Sequence, residues 1–131
     1  RRIKILSDLL GGMPFAAIEK ERDLSSGKVK ALGIEGEVAR RAIIVDDMIS
    51  SGFTMVKAAE LLSEEGSEEI YVFATHAVFS AEAPRLLQNS KIQDVFVMDT
   101  VYIPLDKYFS KLTVLTVADI IAKTIREKIL R

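Results

Sequence analysis

The chain of 131 residues is long enough for one domain, and 49% of its residues are hydrophobic, which supplies a substantial core. Its formal net charge of −1 gives no overall field that would attract nucleic acid or an anionic membrane, and no apolar stretch is long enough to span a bilayer. Without cysteine the chain has no disulfide, zinc–thiolate site or thiol nucleophile, which fits a reducing compartment, and we expect the cytoplasm.

The N-terminal part predicts one helix and two strands. Helical apolar spacing favours a helix over residues 3–10, which Gly11 and Gly12 end. Residues 14–18 and 29–34 favour strands, and the polar stretch 19–28, "EKERDLSSGK", is typical of an exposed loop. Because the sequence opens inside the helix without an initiating Met or a signal peptide, we expect a fragment, a processed product or a chain lacking an upstream portion.

The central part predicts a buried strand, a helix and a second buried strand. Residues 42–45 and 70–74 are continuous apolar runs, which are typical of strands buried on both faces. Between them, from Thr54 onward, the apolar residues take the spacing of a helix, and Gly66 is expected to end that helix. The predicted inner face of that helix is Met55, Ala58, Ala59 and Leu62.

The C-terminal part predicts two helices and two short strands. Ser80 is expected to cap a helix reaching about Leu87, with Pro84 tolerated in its first turn. Residues 95–98 and 112–115 favour strands. Thr116 and Asp119 have the spacing of a capping box and open a last helix. The predicted inner face of that helix includes Ile121, Ile125 and Ile129.

Alternating strands and helices indicate an α/β fold with a mainly parallel sheet flanked by helices. Such sheets bind ligands beyond the carboxyl ends of their strands. Asp46, His76 and Asp99 each follow an apolar run, so we expect them to share that rim.

The segment "RAIIVDDMISSGFTM", residues 41–55, combines an acidic pair with a loop suited to an anion. Ser50, Ser51 and Thr54 offer hydroxyl groups, and Gly52 allows a close approach of the backbone. The predicted helix adds unpaired N–H groups at the positive end of its dipole. Because the loop contains no Lys, neutral donors would hold a phosphate monoester here.

Asp46 and Asp47 need a different partner, because a carboxylate repels a bound phosphate. Sugar hydroxyls and Mg²⁺ are the natural candidates, so the segment predicts a site for a phosphorylated polyol. The alternative is purely structural: the acids end a strand and Ser51 caps a helix.

Four stretches in order resemble one family. Residues 45–54, "VDDMISSGFT", resemble the phosphoribosyl-diphosphate (PRPP) motif of type I phosphoribosyltransferases and PRPP synthetases. Residues 16–23, "AAIEKERD", resemble the catalytic flexible loop of PRPP synthetases, also called ribose-phosphate pyrophosphokinases. Residues 74–83, "ATHAVFSAEA", and 97–104, "VMDTVYIP", resemble two further segments of that family. The resemblance implies that residues 1–131 form a single phosphoribosyltransferase-like domain, the C-terminal half of a PRPP synthetase whose N-terminal half is absent from this chain.

The resemblance implies a role for each matching residue. Asp46 and Asp47 would contact the ribose hydroxyls directly or through Mg²⁺, and Lys20 and Arg22 would close over ATP. Without the resemblance, Lys20 and Arg22 would be interpreted as a solvated charged turn. The residues expected to hold the 5-phosphate of ribose 5-phosphate are Ser50, Ser51, Gly52, Phe53 and Thr54.

The resemblance also implies a reaction and partners. Ribose 5-phosphate and ATP would give PRPP and AMP, with the N-terminal half required and a homo-oligomer expected. Phe53 stands where the family has a small residue and would be strained if its φ were positive. His76 is expected to be structural, and Asp99 either orders a loop or contacts the rim.

Three other functions stay open. A phosphoribosyltransferase would use PRPP to salvage a base, and a non-catalytic homologue would bind phosphoribosyl ligands only. A phospho-receiver domain also carries an acidic pair, but it gives the hydroxyl-rich loop no purpose.

Overall fold

The computed structural model describes residues 2–15, 17–22, 29–80 and 82–130, with the backbone alone for residues 2, 17–22 and 29–35. Helices and strands alternate as the hydrophobic pattern predicts. The elements are α1 (Arg2–Leu9), β1 (Ala17–Arg22), β2 (Val29–Glu35), β3 (Arg41–Ile49), α2 (Phe53–Glu64), β4 (Glu69–Ala77), α3 (Ala83–Gln88), β5 (Asp94–Met98), a short 3₁₀ helix (Leu105–Lys107), β6 (Leu112–Leu115) and α4 (Ala118–Lys128).

The described residues form two sheets. The larger sheet has four parallel strands in the order β3–β4–β5–β6, so each strand pairs with its neighbour in sequence. The smaller sheet is the antiparallel pair β1–β2, with an irregularity between Glu19 and Lys20. The α/β fold with a mainly parallel sheet flanked by helices is therefore confirmed.

The core lies on one face of the four-stranded sheet. Alternate side chains of the strands, such as Ile70, Val72 and Val95, are buried there against α2 and α3. Helix α2 contributes the side chains that its spacing predicted, which are Met55, Ala58, Ala59 and Leu62. Burial of this face is the main stabilising term of the sheet.

The opposite face of the sheet remains half-exposed. We call it the open face, and its apolar members include Ile43, Val45, Phe73, Phe96 and Leu115. The rings of Phe73 and Phe96 stack with centroids 4.5 Å apart. Because parallel sheets are normally buried on both faces, these side chains are suited to being covered by a further layer.

Strands β3 and β4 run further than their apolar runs predict. β3 includes Asp46 and Asp47 and ends at Ile49, and β4 includes His76, which pairs with Met48. The predicted strand ends, at residue 45 for β3 and residue 74 for β4, were therefore too early. Asp99, in contrast, comes directly after β5 as expected. Pairing between neighbouring strands satisfies the backbone there even where the side chains are polar.

The N-terminal prediction of a strand over residues 14–18 and a loop over 19–28 was also wrong in its boundaries. β1 spans Ala17–Arg22, so Lys20 and Arg22 lie on a strand and pair with Ala31 and Val29. The antiparallel partner β2 supplies backbone hydrogen bonds to this polar sequence. Residues 23–28 of the predicted loop lie outside the described residues.

The two C-terminal helices begin differently from the prediction. α3 starts at Ala83 with Glu82 at its N-cap, so Ser80 is not the cap, although Pro84 does lie in the first turn. Before α4 the Ala118 N–H donates to Thr116 Oγ1 at 3.1 Å, in place of the expected capping box. The predicted inner face of α4 is exposed at Ile121, Ile125 and Ile129.

The one-sided core predicts unequal costs for the same substitution on the two faces. Ile70 is 1% exposed on the core face, whereas Ile43 is 42% exposed on the open face. We expect Ile70→Ala to lower the free energy of unfolding by about 2–5 kcal/mol, because it leaves a cavity. Ile43→Ala should cost about 1 kcal/mol or less. Urea unfolding measures both, and equal costs would contradict the one-sided core.

Candidate active site

The loop between β3 and α2 depends on a glycine. Gly52 is the N-cap of α2, with φ of 76°, a conformation that side chains rarely adopt. A Cβ atom there would lie 3.3 Å from Leu87 Cγ on α3. Positive φ and close packing against α3 together require glycine at this position.

The first turn of α2 opens at the end of this loop. The Gly52 carbonyl accepts the first helical hydrogen bond, from the Val56 N–H at 3.0 Å. The amides before Val56 belong to the group that a helix leaves without intrahelical partners, and the helix dipole gives this end a partial positive charge. Ser50, Ser51 and Thr54 are exposed beside it. The sequence therefore folds here into an anion-binding geometry.

Phe53 is not strained. It is the first residue of α2, and the positive φ of the loop belongs to Gly52. Its side chain is half-exposed, and the ammonium group of Lys57, one helical turn on, lies over the ring with Nζ 5.7 Å from the centroid. The expected conflict between the Phe53 side chain and the loop conformation is therefore not observed.

Asp46 and Asp47 project from opposite faces of β3, because successive side chains of a strand alternate. Asp46 is half-buried on the core side, and its Oδ1 accepts a hydrogen bond from the Asp47 N–H at 2.9 Å. The acids therefore differ in direction and exposure. No cluster of three or more His, Cys, Asp or Glu side chains in the described ranges could hold a metal ion.

The turn after β4 supports the loop, and sequence reasoning missed it. The N–H groups of Val78 and Phe79 both donate to the Ile49 carbonyl, at 3.0 and 3.1 Å. The Ser80 N–H donates to the Ser50 carbonyl at 3.0 Å. Phe79 has φ of 41° and, among the described residues, is the only residue other than glycine with positive φ. Such a conformation costs roughly 1–2 kcal/mol.

His76 is hydrogen-bonded at the sheet rim, in agreement with its expected structural role. Thr100 Oγ1 donates to the Thr75 carbonyl at 2.7 Å, and His76 Nδ1 lies 2.8 Å from the same Oγ1. Because the hydroxyl has one hydrogen and it is already used, His76 Nδ1 must be the donor to Thr100. His76 thereby ties β4 to the segment after β5.

Asp99 orders a loop, which was one of its two predicted roles. Its Oδ1 accepts a hydrogen bond from the Val117 N–H at 2.9 Å, and its own N–H donates to the Leu115 carbonyl at 2.9 Å. The bond from Val117, together with a bond from the Thr116 side chain, holds the pKa of Asp99 below its usual value. Asp99 thus joins the end of β5 to the start of α4.

Lys20 and Arg22 lie on β1, in the two-stranded sheet. The four-stranded sheet carries Asp46, Asp47 and the loop, so the predicted site residues divide between two sheets.

A cavity of about 720 Å³ lies at the opposite, amino ends of the parallel strands. Lys111 lines it, but its ammonium group already donates to the carbonyls of Ser90 and Ile92, at 3.1 and 2.7 Å. Ser63 and Gly66, at the C-terminal end of α2, also line the cavity. The negative end of the helix dipole lies there and repels anions. The shallow rim at the carboxyl ends is therefore the better anion site.

Comparison with known proteins gives the same grouping. Residues 15–130 match the phosphoribosyl synthetase-associated domain family. A ribose-phosphate pyrophosphokinase of Gloeobacter violaceus is 37% identical over 125 residues, which are 95% of this chain and 37% of the relative. One from Mycobacterium leprae is 40% identical over 121 residues, 91% of this chain and 37% of the relative. The crystal structure of phosphoribosylpyrophosphate synthetase from Mycobacterium smegmatis aligns with a TM-score of 0.82 and 38% identity, over 95% of this chain and 40% of that one.

The chain belongs to the phosphoribosyl synthetase-associated domain family and is homologous to the C-terminal part of ribose-phosphate pyrophosphokinases. It spans less than half the length of these relatives. Within the described ranges, no helix has the length and apolar character needed to cross a membrane.

The requirement for glycine at position 52 predicts a specific effect of Gly52→Ala. The added Cβ meets Leu87 at 3.3 Å and also opposes the positive φ, so we expect lower stability and at least 10-fold weaker binding of a phosphate monoester. Gly66→Ala is the matched control, since Gly66 also has positive φ but nothing within 4 Å of the added Cβ. NMR titration measures binding, and unchanged affinity in Gly52→Ala would contradict the role of the loop.

Proposed function

We propose that this chain supplies the ribose 5-phosphate site of a ribose-phosphate diphosphokinase, which forms PRPP and AMP from ATP and ribose 5-phosphate. The observation that carries the proposal is the Gly52 loop. It opens an anion-binding helix end directly after a strand that bears two acids, in a chain homologous to ribose-phosphate pyrophosphokinases. The domain assignment of residues 1–131 as one C-terminal half is part of the same proposal.

The geometry supports a division of labour within the sugar phosphate. The loop residues 50–54 would hold the 5-phosphate through main-chain N–H groups and hydroxyls. Asp46 and Asp47, just upstream on β3, would accept hydrogen bonds from the ribose hydroxyls. Carboxylates and amides thus meet different parts of one ligand, which avoids repulsion between the acids and the phosphate.

The reaction would be an in-line displacement. The oxygen of the anomeric hydroxyl forms a bond to the β-phosphorus of ATP, the bond between that phosphorus and the oxygen of the α-phosphate breaks, and AMP leaves with its electron pair. The hydroxyl proton passes to water in the same step. Such transfers depend on positioning and on positive charge around the moving group. Lys20 and Arg22 on β1 are the cations that we assign to this task.

Mg²⁺ would bind at this site together with the phosphates of the substrate. Mg²⁺ is commonly bound through one or two carboxylates together with substrate phosphates, and Asp46 and Asp47 could supply such carboxylates. When bound, the ion would neutralise phosphate charge.

The N-terminal half is proposed as a partner, whether covalent or separate. The open face leaves apolar side chains such as Ile43, Val45 and Leu115 half-exposed, and Ile121 and Ile125 of α4 are also exposed. β3 is a nine-residue strand at one edge of the four-stranded sheet, and long apolar edges are usually covered. These features support a further layer of chain and a homo-oligomer. The cytoplasmic location stays a prediction.

Two alternative functions are separated by assay. A phosphoribosyltransferase would consume PRPP with a base and release no AMP from ATP. A non-catalytic homologue would bind phosphoribosyl ligands without turnover. Strain at Phe53 would favour the non-catalytic homologue. Because Phe53 is helical and unstrained, the diphosphokinase is preferred over that alternative.

Substitution of the acids tests the sugar site. We expect Asp46→Asn and Asp47→Asn each to raise the KM for ribose 5-phosphate about 10- to 100-fold, because a hydrogen bond to a charged group contributes about 1.5–3 kcal/mol. The measurement is AMP release in the polypeptide or complex that contains the N-terminal half. Glu64→Gln at the far end of α2 is the control and should change nothing. An unchanged KM in both acid variants would refute the assignment.

Removal of the cations tests the transfer step. Lys20→Ala and Arg22→Ala should lower kcat at least 100-fold and leave ribose 5-phosphate affinity within about threefold, since they act on the diphosphate. Lys30→Ala on β2, opposite Glu21, is the matched control on the same two-stranded sheet. A kcat that Lys20→Ala and Arg22→Ala change no more than Lys30→Ala would contradict the catalytic assignment.

A further inference from the structure

The Phe79 turn, residues 78–80, joins β4 to α3 and holds the start of the phosphate loop. Its three consecutive N–H groups donate to only two carbonyls, those of Ile49 and Ser50. β3 and β4 end their pairing at Ile49 and Ala77, so the turn continues the contact between the strands beyond the regular ladder. The turn is thus a direct support of the loop that we propose to bind phosphate.

Because a peptide group is planar, hydrogen bonds to the carbonyls of Ile49 and Ser50 also fix the directions of the N–H groups that follow them. Every peptide bond of the described chain is trans, so each C=O points opposite to the N–H of the next residue. The Ile49 carbonyl faces the Phe79 turn, which directs the Ser50 N–H away from it. The same reasoning applies to the Ser50 carbonyl and the Ser51 N–H. Both amides therefore face away from the Phe79 turn.

Phe79 is what closes the turn. Its φ of 41° reverses the chain after β4, and this conformation is costly for a bulky side chain. Its ring is 2% exposed and meets the Phe109 ring edge-on, with centroids 5.8 Å apart. Burial of the ring holds the backbone in a conformation that the residue would not adopt alone.

We propose that Phe79 is a positioning residue for phosphate recognition, acting through the carbonyls of Ile49 and Ser50. It touches no substrate itself. The inference rests on the proposed function for its ligand, ribose 5-phosphate, and on the observed hydrogen bonds for its mechanism. If instead Phe79 only filled the core, the conformation of its backbone would not matter to ligand affinity.

Two isomeric substitutions separate these roles. Leu and Ile have the same atoms and similar volume, but β-branching makes Ile the poorer residue at positive φ. We expect Phe79→Leu to keep ribose 5-phosphate affinity within about threefold of wild type, and Phe79→Ile to lose about 10-fold or more. NMR titration of the protein, followed at the Ser50 and Ser51 amides, measures both. Equal affinities would overturn the proposal, because a role in core filling predicts no difference.

A second pair repeats the comparison without a large side chain. Phe79→Gly and Phe79→Ala both delete the ring, but only Gly accepts positive φ without cost. The expected order of affinity is Gly above Ala, by about 10-fold. If these variants fail to fold, the Leu and Ile pair still decides the question. Ribose, which lacks the phosphate, should show the same weak binding in all variants.

Amide exchange gives a readout that needs no ligand. Loss of the bond from Ser80 N–H to the Ser50 carbonyl should raise Ser80 exchange about 10-fold in Phe79→Ile relative to Phe79→Leu. Equal exchange would overturn the inference even if ribose 5-phosphate failed to bind wild type. Absent binding with unequal exchange would instead refute the proposed function and leave the support of the loop established.

Discussion

The hydrogen bonds between the Phe79 turn and the end of β3 are the constraint on which the site depends. They continue the contact between two parallel strands past Ile49 and Ala77, where the regular pairing ends. Without them Ile49 and Ser50 would be the frayed end of an edge strand. With them, the chain enters Gly52 and α2 from a fixed direction. The amides of the first turn of α2 are therefore held in one orientation.

Packing against α3 also holds the loop in place. Gly52 sits against Leu87, and Leu87 is fully buried on α3, the helix that follows the Phe79 turn. The Phe79 turn therefore holds the loop by hydrogen bonds, and the helix that follows it, α3, holds the loop by packing. Under the proposed function, this arrangement would hold neutral donors rigidly around the phosphate in a loop that contains no Lys. It also explains why a large residue is tolerated at Phe53, one position beyond the tight point.

The sequence predicted the parts of the fold that follow from apolar periodicity. The inner face of α2, the four parallel strands and the loop before α2 were all anticipated, because each depends on local pattern. The ends of β3 and β4 were not, since Asp46, Asp47 and His76 join strands through pairing with neighbours, which no local pattern reports. The positive φ of Phe79 was not predicted for a similar reason. It accompanies burial of the ring against Phe109, a contact between residues far apart in sequence.

The division of the predicted residues between two sheets has a mechanistic consequence. Under the proposed function, the sugar phosphate would be held by β3, the loop and α2, which one core and the Phe79 turn hold together. Transfer of a diphosphoryl group would in addition require that Lys20 and Arg22, on the β1–β2 pair, reach the same ligand. β2 lies beside α2, the helix that begins at the loop, so the pair that carries the two cations is already close to the phosphate end of the proposed site. Loss of the two cations would then lower turnover without abolishing affinity for ribose 5-phosphate.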